Sequence, residues 1–129
     1  MSEQSACSCR KVQYNLVFAC SGAADVGAVS DQAARVLSRE KTAFMCCTAA
    51  IAAKIPDIVE KAALANRIVV IDGCDKGCAK NILDAGGFSG HAYVELGALG
   101  MEKGKTPPTE ETVRAAATAA REALNENAG

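Results

Sequence analysis

The chain has no tryptophan, and only two tyrosines and three phenylalanines stand among its 129 residues. Half of the residues are hydrophobic, so a core has to be assembled from alanine, valine, isoleucine and leucine. Neither sign of charge is in surplus: 14 Lys and Arg face 15 Asp and Glu, for a formal net charge of -1. There is no basic stripe and no interleaving of basic with aromatic residues, which removes the usual footprint of a nucleic-acid binder. No apolar run approaches the roughly 20 residues of a membrane-spanning helix. The first fifteen residues, MSEQSACSCRKVQYN, are polar and lack the apolar stretch of a secretory signal. A cytoplasmic location is the expectation, with neither nucleic acid nor membrane as a partner. A single histidine and no paired-carboxylate arrangement leave little for Ser-His-Asp, Cys-His or two-carboxylate catalysis.

What the chain does have is cysteine: seven of them. In a reducing compartment that number points to metal or redox chemistry before disulfide staples, and an odd count suits a fully paired framework poorly. The stretch that organises them is Ile71-Asp72-Gly73-Cys74-Asp75-Lys76-Gly77-Cys78-Ala79-Lys80. The β-branched run from Arg67 to Ile71 predicts a buried strand. Cys78, Ile82 and Leu83 recur at helical spacing, and Gly86-Gly87 supplies a stop. Cys74 therefore falls in a strand-to-helix turn and Cys78 in the first helical turn, where backbone N–H groups and the helix dipole favour thiolate. Two thiolates there make half of a tetrahedral metal site. The alternative, two small buried hydrophobes, sits badly with Asp72, Asp75 and Lys76 as neighbours.

The same local design recurs upstream. Val12 to Ala19 predicts a strand that stops at Cys20-Ser21-Gly22, and Val26, Val29, Ala33, Val36 and Leu37 predict a helix to about Arg39. Gly22 and Gly27 are spaced like phosphate-loop glycines, but Ala28-Val29 stands where the Lys-Ser/Thr pair belongs, which rejects a Walker A site. Lys41 to Met45 predicts a short second strand ending at Cys46-Cys47. Small residues 48–53 follow as a helical turn or two, and Pro56 opens another helix that closes near Asn66. His91 to Leu96 alternates as a fourth, more exposed strand would, Gly97 to Pro108 is loop, and Thr109 is a cap for a last helix along Val113, Ala116, Ala120 and Leu124. Strands alternating with helices predict a small open, mostly parallel sheet of about four strands with helices on both faces, a three-layer α/β fold of the Rossmann or flavodoxin kind. Residues 1–10, with Cys7 and Cys9, are expected to be a flexible tail, and residues 11–129 a single α/β domain.

In such sheets sites form beyond the carboxyl ends of the strands. Cys20 ends the first strand, Cys46-Cys47 the second and Cys74 the third, with Cys78 one helical turn on. Five of the seven cysteines thus share one predicted edge. Four thiolates suit zinc, and they also suit an iron–sulfur cluster. Spacing alone does not decide which of Cys46 and Cys47 is the ligand. Asp72 is read either as a carboxylate that orients the ligand loop through its amides or as a turn-forming residue. His91 is expected to be a surface or loop-end residue and no ligand.

Cys20-Ser21-Gly22, Met45-Cys46-Cys47-Thr48-Ala49 and, above all, Asp72-Gly73-Cys74 followed by Cys78-Ala79-Lys80 resemble the DGC-domain family of zinc-binding proteins, over roughly Lys11 to Glu102. The resemblance implies zinc, with the family cysteines falling on Cys20, Cys47, Cys74 and Cys78, and leaves Cys46 as a bystander. It indicates no substrate and no protein partner. Ala49-Ala50-Ile51-Ala52-Ala53 departs from the family's glycine-rich run after the second cysteine, and alanine restricts close backbone approach there, so an anion site in that loop is not expected. The leading reading is a small zinc-binding protein. A closed site of four thiolates leaves no open position for water, which argues against zinc-dependent hydrolysis. The competing readings are a thiol redox or sulfur-transfer enzyme acting through the same cysteines and an iron–sulfur electron carrier.

Overall fold

A computed structural model describes residues 14–126. The expected tail with Cys7 and Cys9, and the expected start of the first strand at Val12, lie outside the described residues. The elements alternate along the chain: β1 (Asn15–Ala19), α1 (Asp25–Arg39), β2 (Phe44–Met45), α2 (Thr48–Ala52), α3 (Pro56–Leu64), β3 (Arg67–Asp72), α4 (Cys78–Ala85), β4 (Ala92–Glu95), a 3-10 turn (Leu96–Leu99) and α5 (Glu110–Glu126). The four strands form one sheet in the order β2-β1-β3-β4, all parallel, as the alternation of elements requires.

Each strand of the central pair feeds two cores, because successive side chains leave opposite faces. Val17, Ala19, Val69 and Ile71 point to one side, where α1 and α5 supply Val29, Ala33, Leu37, Ala116, Ala120 and Leu124. Leu16, Phe18 and Val70 point to the other and meet Ile51, Ala62, Ala79 and Leu83 of α2, α3 and α4. With few aromatics available, close approach replaces bulk. Alanines along α5 let that helix lie against α1 and the sheet, and Ala116, Ala117 and Ala120 are buried. No helix among the described residues is long and apolar enough to cross a membrane.

Three local features differ from the expected outline. β2 is only two residues long, because Lys41 takes a left-handed conformation (φ 64) and closes α1, with Lys41 N–H donating to Ser38 O and Thr42 N–H to Leu37 O. The expected loop after β4 begins with the 3-10 turn, which buries Leu96. His91 is a loop-end residue but not a surface one: its side chain is 3% exposed. Its Nε2 lies 3.0 Å from Asp84 Oδ1 and its Nδ1 3.2 Å from Ala92 O. The burial is possible because both ring nitrogens meet oxygen acceptors.

The expected cap of α5 is present in reciprocal form. Thr112 N–H donates to Thr109 Oγ1, and Thr109 N–H to Thr112 Oγ1, a capping box with threonine in the place of glutamate. At the start of α1, Asp25 fastens a distant loop: its carboxylate accepts from Val26, Gly104 and Thr106 N–H. Those bonds, Gly104 and Thr106 foremost, hold the Asp25 carboxyl below its ordinary value. A carboxylate whose pKa is lower in the folded state stabilises that state above the ordinary aspartate range and loses the effect as pH falls through the lowered value. The amides of Gly104 and Thr106 should therefore be protected from hydrogen exchange at neutral pH and lose protection below the usual aspartate range. Asp25→Asn should leave those amides weakly protected at every pH, as exchange read by NMR would report.

Candidate metal centre

The strand order reverses between β1 and β3, so their carboxyl ends open a crevice at the topological switch point. Five cysteines stand along this edge. Cys20 follows β1, Cys46 and Cys47 follow β2, Cys74 lies two residues beyond β3, and Cys78 is the first residue of α4. The strand ends are tied to one another by short bonds. Cys20 N–H donates to Ile71 O (3.0 Å) and Cys46 N–H to Val17 O (2.9 Å), so both turns continue their ladders. Ser30, buried in α1, donates its hydroxyl to Cys20 O as well as to Gly27 O. Thr48 Oγ1 donates to Ala19 O at 3.0 Å and pins the Cys46-Cys47 corner against β1.

Glycine allows the first turn of α1 to press on both loops. A Cβ on Gly27 would stand 2.5 Å from Gly22 O, and one on Gly73 would stand 2.7 Å from Val26 O. The Gly22 and Gly27 spacing that resembles a phosphate loop is thus a helix-to-turn contact, in keeping with the missing Lys-Ser/Thr.

Asp72 holds the loop that carries Cys74 and Cys78. Gly77, the N-cap of α4, has no side chain to offer (φ 63). Instead, Asp72 Oδ1 accepts from Ala79 N–H and Oδ2 from Lys80 N–H, each at 2.9 Å. These are the second and third amides of the helix, the ones an N-cap side chain normally satisfies. Tyr93 of β4 donates its hydroxyl to Oδ2 at 3.0 Å. Asp72 is 1% exposed, and three charge-assisted hydrogen bonds are what make its burial tolerable. Of the two readings of Asp72, the geometry is that of the carboxylate that orients the loop through amides. The Tyr93 phenol is pushed well above its usual pKa, by burial first and then by the Asp72 charge, so it remains a donor.

Two cavities meet at the thiols. A cleft of about 660 Å³ is lined by Cys20, Cys46, Cys47 and Cys78, with Asp31 and Arg35 among its other residues. A smaller one of about 170 Å³ is lined by Cys20, Cys74 and Cys78 together with Asp72 and Gly73. Cys20 and Cys78 belong to both. On the rim of the larger cleft Asp31 accepts from Ser21 Oγ (2.7 Å) and Arg35 Nε (2.9 Å), and Arg35 holds its carboxyl below the ordinary value.

The thiols differ in environment. Burial raises Cys20, and the charges of Asp72, Cys78 and Cys74 raise it further, against a lowering bond from Gly22 N–H. Cys46 is 8% exposed and packs with Leu16, Phe18 and Ile51. Burial raises its pKa also. Cys47 and Cys78 are exposed, and Cys74 is intermediate. Among the described residues, no three His, Cys, Asp or Glu side chains are arranged to hold an ion together. The donors are therefore neighbours on separate loops, and a metal would have to draw them in. In donor chemistry they fit zinc: soft thiols from three strand ends, along two clefts that share Cys20 and Cys78.

Residues 16–120 match the DGC domain. The chain belongs to the DGC-domain family. A Pseudomonas aeruginosa protein called anaerobic and virulence modulator AnvM is 31% identical over 88 residues, which cover 68% of this chain and 67% of that protein. No solved structure matches the chain. The Asp72-Gly73-Cys74 triplet divides the labour at the end of β3: Asp72 caps α4, Gly73 admits α1, and Cys74 carries the thiol.

Sequence reasoning placed the cysteines at this edge but had no means of finding Tyr93 or Thr48, whose partners are far off in the chain. The environments give a test. In metal-free protein at neutral pH, iodoacetamide should modify Cys47 and Cys78 well before Cys20 and Cys46, because the first two are exposed and the thiolate fraction of the latter two is reduced. Mass spectrometry of peptides taken at successive times would show the order, and early labelling of Cys46 would contradict the packing described.

Proposed function

We propose that this DGC domain binds one zinc ion through Cys20, Cys47, Cys74 and Cys78. The observation that carries the reading is the position of Cys20 at the switch point: it lines the larger cleft with Cys47 and Cys78 and the smaller one with Cys74 and Cys78. Cys47 is favoured over Cys46 as the fourth ligand because its side chain is exposed, whereas that of Cys46 faces the apolar core under α2. The ion would close three loops already tied by Thr48 to Ala19 O and by Cys20 N–H to Ile71 O, and its affinity would appear as folding stability. A site closed by four thiolates would offer zinc no open position for a reacting water. The role best suited to such a site is structural or regulatory, and a modulator is what the relative's name calls that protein.

A thiol-redox function with Cys46 as the attacking group has less support, since its thiol is buried and of raised pKa, which makes a poor nucleophile. An iron–sulfur cluster on the same cysteines would colour the protein brown, whereas the zinc form is colourless.

Elemental analysis of protein purified without added metal should give about one zinc per chain. Cys47→Ser should lose most of the metal and Cys46→Ser should retain it. At free zinc 100-fold above its dissociation constant, the holo form gains about 2.7 kcal/mol. For a domain of this size that corresponds to about 10 °C in melting temperature. The gain should shrink in mildly acidic buffer, because the ligands bind as thiolates and protons compete for them. Equal melting temperatures for proven apo and holo samples would refute a stabilising site.

A further inference from the structure

Tyr93 lies on β4, outside the cysteine loops, yet its hydroxyl is one of three donors on the carboxylate that fixes where those loops end. Register places it opposite Val70 of β3, and its ring packs with the α2–α4 side of the core. Lys80 Nζ stands 5.9 Å from the ring centroid and is bonded at 3.0 Å to Asp84. Asp84 in turn meets the buried His91. Gly77, the residue before Cys78, comes close to the Tyr93 hydroxyl as well: a Cβ built on it would lie 3.7 Å from Oη. Tyr93 therefore reaches the Cys74–Cys78 segment through Asp72.

We propose that Tyr93 is a positioning residue for the thiol pair Cys74 and Cys78, acting through its hydrogen bond to Asp72. As a statement about metal affinity, this rests on the zinc reading above; as a statement about the loop, it does not. Asp72 Oδ2 has two donors, Lys80 N–H and Tyr93 Oη, and the carboxylate is buried. If the phenol is removed, the buried charge loses a compensating bond. The carboxylate lines the smaller cleft at the thiol edge, and turning toward that cleft to recover solvation disturbs its bonds to the first turn of α4. Cys78 is the residue immediately before those amides, and Cys74 lies in the loop they close. Groups of this kind behind metal ligands typically change affinity by 10–100-fold when deleted.

The test compares Tyr93→Phe with Tyr14→Phe. The second variant deletes a phenol that donates to Lys61 O at the opposite end of β1, so it controls for loss of a hydroxyl as such. Two measurements are made on each protein: hydrogen exchange of the Ala79 and Lys80 amides in metal-free samples, and titration with Co2+, whose thiolate charge-transfer and d–d bands report ligand geometry. Tyr93→Phe should speed exchange at Ala79 and Lys80, weaken Co2+ binding roughly tenfold and alter the d–d envelope. Tyr14→Phe should do none of these. Wild-type exchange rates at both amides in Tyr93→Phe would overturn the proposal. So would a Co2+ affinity and spectrum equal to the wild type's. If the wild-type protein takes up no Co2+, the zinc reading fails, and the exchange rates alone decide: faster exchange in Tyr93→Phe than in Tyr14→Phe upholds the positioning role, and equal rates overturn it.

Discussion

A buried carboxylate at the end of β3 is the constraint on which the functional edge depends. Asp72 is enclosed by the sheet and α4, and an ionised group in that position is tolerated only when its lone pairs are taken. The chain meets the requirement with two helix amides and one phenol. Each of those donors fixes something else in turn. The amides fix the start of α4 and hence the place of Cys78. The phenol fixes β4, the last strand of the sheet, against the loop. One acidic side chain thereby joins strand, helix and neighbouring strand, and the thiols are presented from a frame instead of from a free loop.

The rest of the edge is assembled by backbone acceptors. Carbonyl groups at the ends of β1, β2's neighbour in the sheet, receive bonds from Thr48 and Ser30, so side chains from two helices grip the turn that carries Cys20. Small residues make this possible. Gly27 and Gly73 bring α1 onto both loops, and the alanines of α5 bring a second helix onto the same face of the sheet. A core poor in aromatics loses bulk but gains close approach, and close approach is what a cluster of short cysteine side chains needs.

Much of this was legible in the amino-acid sequence. The β-branched run Ile68 to Ile71, the apolar period of α1 and the threonine cap of α5 are local signals, and each led to an element where it stands. The collection of Cys20, Cys46, Cys47, Cys74 and Cys78 at one edge follows from strand ends in a parallel sheet and needed no knowledge of strand order. Features that rest on distant partners were hidden. His91 reads as a surface or loop-end residue because its ion-pair partner Asp84 comes within reach only when α4 is laid beside β4. Tyr93 reads as one position in an alternating strand. The shortness of β2 came from Lys41 adopting a backbone conformation that lysine seldom takes.

The pairing of β1 with β3 has a consequence for how the chain matures. Asn15 to Ala19 lie in register with Arg67 to Ile71, while the intervening β2 offers β1 a ladder of only two residues. During synthesis the segment Leu16-Val17-Phe18 therefore leaves the ribosome long before the strand that covers it. Local structure, α1 and the two-residue β2, covers only part of this apolar segment, and parallel, non-local pairings of this kind form slowly. The interval between emergence of β1 and emergence of β3 is the period in which the nascent chain is most exposed to aggregation.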